Sequence, residues 1–88
     1  MIVTATKSFN KDISKLRDRK IARKIEEVIA QLEHAKSIVE LPNVKKMEGA
    51  SNAYRIRIGD YRLGIFIISS TVQLTVFAHR KDIYKVFP

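Results

Sequence analysis

From Tyr54 to Tyr84 apolar and basic side chains alternate with the period of a β-strand, and no other feature of the chain constrains its fold so tightly. Successive strand side chains point to opposite faces. Three strands are therefore predicted, at about residues 53–58, 61–69 and 72–79, with turns at Gly59-Asp60 and Ser69-Ser70-Thr71. On the first, Tyr54, Ile56 and Ile58 share one face, and Arg55 and Arg57 the other. On the second, Tyr61, Leu63, Ile65 and Ile67 alternate with Arg62, Gly64, Phe66 and Ile68. On the third, strict alternation puts Val72, Leu74 and Val76 in the apolar set and Gln73, Thr75, Phe77 and His79 opposite. The apolar set must be covered. The other set is expected to form an open basic face carrying Arg55, Arg57, Arg62 and His79, with Phe66 and Phe77 interleaved and Arg80 and Tyr84 at its rim.

The upstream half supplies the cover. Ile2 to Thr6 is β-branched enough for a short strand. Ser8 stands where a helix cap belongs, ahead of Phe9, Ile13 and Leu16 at helical spacing, which predicts a helix over about residues 9–17. Asp18 can cap a second helix whose apolar stripe is Ile21, Ile25, Val28, Ile29 and Leu32. That helix is expected to fade near Lys36–Ser37, well before Pro42. Val44 to Met47 can form a short edge strand. The expectation is an α+β domain spanning residues 1–88, ordered β-α-α-β-β-β, with an antiparallel sheet of about four strands, two N-terminal helices on one face and a short C-terminal turn or helix.

Composition narrows the chemistry. There is no cysteine, so disulfide and thiolate sites are excluded, and two histidines far apart in sequence make a poor zinc site. No apolar run has the length of a signal peptide core or a membrane span, which points to a cytoplasmic protein. Lysine and arginine total 17 against 9 acidic residues, a net +8, with the larger share (+5) in residues 45–88. Such an excess fits a polyanionic partner, a nucleic acid or an acidic protein. For the scattered N-terminal lysines solubility is explanation enough. The strand arginines are different, because alternation gathers three of them on one side.

Arginine binds phosphate with a planar fork and a permanent charge. Arg55, Arg57, Arg62 and Arg80 can together hold successive phosphates or stabilise the extra charge on phosphorus during cleavage. RNA brings its own nucleophile, the 2′-hydroxyl, so a protein that aligns it and moves two protons can cut RNA without a metal. Arginine cannot serve as the base. His79 is the natural proton carrier, and Tyr84 can orient the nucleophile or pass a proton. Glu48 and His34 read as solvated side chains. Lys45, Lys46 and Lys81 add cations along an RNA path. Phe66 and Phe77 are as well suited to base stacking as to core packing, while Tyr54 and Tyr61 read as core.

The run Tyr54-Arg55-Ile56-Arg57-Ile58-Gly59-Asp60-Tyr61-Arg62-Leu63, followed by His79-Arg80-Lys81-Asp82-Ile83-Tyr84, resembles the RelE branch of the RelE/ParE toxin superfamily. The likeness covers essentially the whole chain. It implies two helices on an antiparallel sheet, a cognate antitoxin as partner, and metal-independent cleavage of messenger RNA in the ribosomal A site, with no cofactor. By this resemblance the basic pair of the first hairpin is Arg55 and Arg57, the phosphate-stabilising arginine is Arg62, the late arginine is Arg80 and the C-terminal aromatic is Tyr84. The best-known members carry lysines at the positions of Arg55 and Arg57. Arginine effectively cannot lose its proton there, which assigns proton transfer to His79 or Tyr84. The ParE branch, which poisons DNA gyrase by binding it, and a non-cleaving RNA- or ribosome-binding module are the competing readings.

Overall fold

A computed structural model describes residues 1–88. Strand β1 (Ile2–Ala5) leads into helices α1 (Lys7–Ser14) and α2 (Arg19–His34), and a short 3-10 turn (Ile38–Glu40) follows. Then come β2 (Val44–Lys46), β3 (Ala53–Ile58), β4 (Tyr61–Ile68), β5 (Thr71–His79) and the four-residue helix α3 (Ile83–Val86). The sheet has five strands in the order β1-β5-β4-β3-β2. β2 through β5 pair antiparallel, as the turns require, but β1 joins parallel to β5, with Ile2 opposite Thr71. The sheet is thus one strand larger than expected and mixed rather than purely antiparallel.

The helices start where side chains can satisfy their first N–H groups. Asp18 caps α2 as expected, its Oδ1 accepting from the N–H groups of Lys20 (2.9 Å) and Ile21 (3.2 Å). α1 starts earlier than Ser8 would have it. Thr6 leaves β1 in an extended conformation, and its hydroxyl accepts from the N–H of Phe9 at 3.0 Å. α2 ends at His34, two to three residues before its expected end. There the ammonium of Met1 donates to the carbonyls of Leu32, Glu33 and Ala35 at 2.9–3.1 Å, placing a positive charge at the negative end of the helix dipole.

Both helices pack on one face of the sheet. Phe9, Ile21, Ile25 and Leu32 meet Ile56, Ile58, Leu63, Ile65, Val72 and Leu74 in the larger core. Each fully buried aliphatic side chain contributes roughly 1.5–3 kcal/mol relative to exposure. The facing predicted for β3 and β4 is the facing found.

On β5 it is not, and the cause is a bulge. Gly64 pairs with Val76, yet its neighbour Ile65 pairs with Leu74, so Thr75 has no partner on β4. One extra residue reverses the facing of everything after it. Phe77 joins the helix-side core, stacked on Tyr61 at 5.0 Å and 13°, while Val76 turns to the other face. α1 holds the irregularity in place: the Thr6 hydroxyl donates to the Thr75 carbonyl at 2.8 Å, and Asp12 Oδ2 accepts from the Phe77 N–H at 2.9 Å. Asp12→Ala is expected to destabilise the fold by about 1.5–3 kcal/mol, because a charge-assisted bond is lost and an N–H is left unpaired. A urea melt checks this, and a midpoint equal to wild type would mean that Asp12 does not hold the bulge.

The second face is not open along its whole length. α3 folds across it, and Ile83 and Phe87 form a small core with Met47, Ala53 and Val76. Gly64 lies beneath the Phe87 ring, and a Cβ there would fall 2.7 Å from Phe87 Cγ and 2.9 Å from Val76 Cγ2. Phe66 is covered by the same ring, at 5.0 Å between centroids.

Candidate functional site

Beside that small core the same face becomes basic. Arg55 and Arg57 project from β3 and Arg62 from β4, with Arg57 directly opposite Arg62 and Arg55 opposite Gly64. Like charges in facing positions destabilise a sheet, so this arrangement has to be held by its surroundings. Arg62 is: its Nη1 donates to the carbonyls of Gly59 (3.1 Å) and Tyr61 (2.8 Å), which tie the guanidinium to the β3–β4 turn. Arg80 approaches the same turn through its backbone, whose N–H donates to the Asp60 carbonyl at 2.8 Å.

Burial, first, and then the charges of Arg55, Arg57 and Arg80 hold the Arg62 guanidinium below the ordinary arginine range. Tyr84 acts the other way, and no carboxylate is among the groups that act on it. Arginine stays protonated at any working pH. The consequence is a cluster of like charges around Arg62 with no carboxylate acting on it, which suits a bound phosphate.

α3 brings Tyr84 over this face, its ring 5.5 Å from the Arg55 guanidinium carbon, in cation–π range. Tyr84 is 66% exposed, so its other surface is free to meet a base. Arg55, Tyr84, Lys45, Lys46, Glu48 and Phe87 are among the residues lining a cleft of about 410 Å³. Lys45 pairs with Arg55 and shares its face. Lys46 pairs with Tyr54 and turns to the opposite face, where it also borders an apolar groove with Val39 and Leu41; at this sheet edge it reaches both. Lys81 is exposed in the turn after β5.

Three expected members do not join the site. His79 pairs with Tyr61 and lies edge-on to it, at 5.7 Å and 73°, on the helix side of the sheet. Its Nδ1 accepts from the Lys81 N–H at 3.2 Å. The Thr75 bulge is the reason: without it, alternation would have put His79 beside Arg62. Phe77 is displaced by the same step, and Phe66, although correctly faced, lies beneath Phe87. The exposed aromatic at the cleft is Tyr84.

Glu48 is exposed in the turn after β2, as expected, and also lines the cleft with Arg55 and Tyr84. Sequence reasoning undervalued Gly64. Gly64 permits Phe87, and therefore α3, to lie against the sheet. A glycine inside a strand otherwise made of large side chains is a signal of close approach and was available in the sequence.

Comparison with known proteins gives a consistent picture. The family model described as the ParE toxin of the type II toxin–antitoxin system, parDE, matches residues 3–84. Toxin RelE3 of Methanocaldococcus jannaschii is 36% identical over 89 residues, covering all of both chains. Among solved structures, the RelB–RelE antitoxin–toxin complex from Methanococcus jannaschii contains a chain with a TM-score of 0.82 and 33% identity, over 97% of this chain and 99% of that one. The toxin–antitoxin complex RelBE2 from Mycobacterium tuberculosis gives 0.68 and 27%, over 90% and 96%.

Proposed function

The chain belongs to the RelE/ParE superfamily as a RelE-like toxin of a type II toxin–antitoxin system, and from that premise we propose that it is a metal-independent endoribonuclease that cuts messenger RNA in the ribosomal A site. The observation that carries this reading is the convergence of Arg55, Arg57, Arg62 and Tyr84 on one face, with only cations and a phenol acting on Arg62.

The chemistry is an in-line displacement. The 2′-oxygen attacks the adjacent phosphorus, the bond to the 5′-oxygen breaks, and a 2′,3′-cyclic phosphate and a 5′-hydroxyl result. Arg62, fixed by two carbonyls, faces the phosphoryl oxygens where charge accumulates, and Arg57 and Arg80 hold the flanking chain. Glu48 takes the proton from the 2′-hydroxyl. Tyr84 stacks on a base and gives its proton to the departing 5′-oxygen. Lys45, Lys46 and Lys81 steer the strand. The reaction takes place in the cytoplasm, where ribosomes meet messenger RNA; no helix is long and apolar enough to cross a membrane. The partner that silences it is an antitoxin with an acidic binding segment, in keeping with the RelB-bound relatives.

Primer extension on a defined messenger RNA bound to purified ribosomes tests the reading. Cuts within the A-site codon are expected from wild type. Tyr84→Phe and Glu48→Gln should each slow them about 10²–10⁴-fold, and His79→Gln should leave them at the wild-type rate, since His79 lies on the other face. A dead His79→Gln beside an active Tyr84→Phe would put the chemistry elsewhere. The ParE reading has one observation in its favour, the family description that matches residues 3–84. It predicts gyrase-dependent DNA damage with intact messenger RNA.

A further inference from the structure

Counted by halves of the chain, the positive charge favours the strands. Counted by elements, it does not. Residues 7–24, which form α1, the turn after it and the start of α2, carry eight basic side chains against two acidic ones, a net +6 of the chain's +8. Residues 25–44 carry one basic and four acidic. All eight cations are exposed. Both acids are occupied by backbone donors: Asp12 accepts from the Phe77 N–H, and Asp18 caps α2. The helical layer therefore has one strongly basic end with no carboxylate left to balance it.

That end adjoins the arginine face. Ile21 Cδ1 lies 3.0 Å from where a Gly59 Cβ would stand, so the start of α2 sits against the same turn that anchors Arg62. A groove of about 310 Å³ joins the two regions, with Lys24 and Glu27 on its α2 wall and Arg57 and Gly59 on its sheet wall. Lys24 and Arg57 thus face one groove, with Glu27 the one carboxylate in its wall and Asp60 exposed in the adjoining turn.

Its composition indicates the ligand. Unpaired strands are held by stacking as well as by charge, and the sole aromatic among residues 7–24, Phe9, is 5% exposed. On a nucleic acid, a surface of long cations without a stacking platform can grip the phosphate backbone but not unstacked bases. We propose that the α1–α2 end is a second nucleic-acid surface that holds base-paired RNA by its backbone, while the arginine cleft takes a single strand. The choice of RNA over another polyanion rests on the nuclease reading of the cleft; the existence of the second surface does not.

Fluorescence anisotropy with a blunt A-form RNA duplex of about 16 base pairs, over a series of salt concentrations, tests it. Lys20→Gln with Lys24→Gln should lower the slope of log affinity against log salt by about 2, one for each phosphate contact removed. Lys36→Gln with Lys85→Gln removes the same charge elsewhere and should keep the wild-type slope. Equal effects of the two pairs, or none from either, would make the binding a property of net charge and overturn the proposal. Loss of affinity for an acidic antitoxin peptide with duplex binding unchanged would make the band a protein surface, which also overturns it. The duplex is not a cleavage substrate, so failure of the nuclease reading would show as missing cuts with this slope difference intact.

Discussion

Arg62→Ala is expected to slow cleavage by about 10²–10³-fold while the protein remains folded. The expectation follows from what surrounds the guanidinium. Burial and three neighbouring arginines act against its charge, and two backbone carbonyls fix its position. A fixed, partly desolvated cation is most useful where negative charge grows during the reaction, because nothing has to reorganise to meet it. Arg62→Lys should recover only part of the loss, since an ammonium cannot form the paired bonds of a guanidinium. Stability should respond differently from rate. The side chain loses two hydrogen bonds, each worth about 0.5–1.5 kcal/mol net, but a like charge opposite Arg57 is relieved. A folded-state shift below the unfolded value means that the fold disfavours the protonated form. That cost is present at every pH where arginine is charged in both states and disappears only above the arginine titration. The melting difference from wild type should therefore be insensitive to pH near neutrality and sensitive to salt. Single-turnover cleavage beside a thermal melt measures both, and an unchanged rate would remove Arg62 from the chemistry.

Gly64→Val should damage fold and site together. The backbone of Gly64 is ordinary strand, and what the position lacks is room: a Cβ meets the Phe87 ring at 2.7–2.8 Å and Val76 at 2.9 Å. Overpacking of this kind costs about 1–3 kcal/mol, or several degrees of melting temperature, at roughly 4–8 °C per kcal/mol for a domain of this size. The least costly escape is for Phe87 to lift off, and Phe87 anchors the helix that carries Tyr84. Cleavage should fall along with stability. Adding Phe87→Leu to Gly64→Val shortens the opposing side chain and should restore part of both. A Gly64→Val protein that melts and cuts like wild type would show that the C-terminal segment is not held at this point.

Much of this was legible in the sequence because the determinants are local. Strict alternation over Tyr54–Leu63 placed Arg55, Arg57 and Arg62 on one face, and Gly59-Asp60 made the turn between them. Asp18 capped the helix it precedes. The failures share a different origin. The Thr75 bulge is held by Thr6 and Asp12, more than sixty residues upstream, and no window around Thr75 contains them. Without the bulge His79 looks like a member of the site; with it His79 belongs to the other side of the sheet. The covering of Phe66 depends on Phe87 finding Gly64, and the parallel pairing of β1 depends on β5. Pattern reading sees which side a residue takes relative to its neighbours, and long-range contacts decide whether that side is kept.

The pairing of β1 with β5 also sets an order in time. Ile2 waits for Thr71, and the cap residue Thr6 completes its second hydrogen bond only when Thr75 arrives. At about 5–20 residues per second, the first strand of a nascent chain spends several seconds without its partner. Arg80, Tyr84 and the Phe87 anchor emerge later still. The basic cleft cannot assemble until Tyr84 and Phe87 have followed Thr71 out of the machine that makes the chain. A chain stalled or truncated before residue 71 has lost its site, and carries an unsatisfied sheet edge for quality control to find.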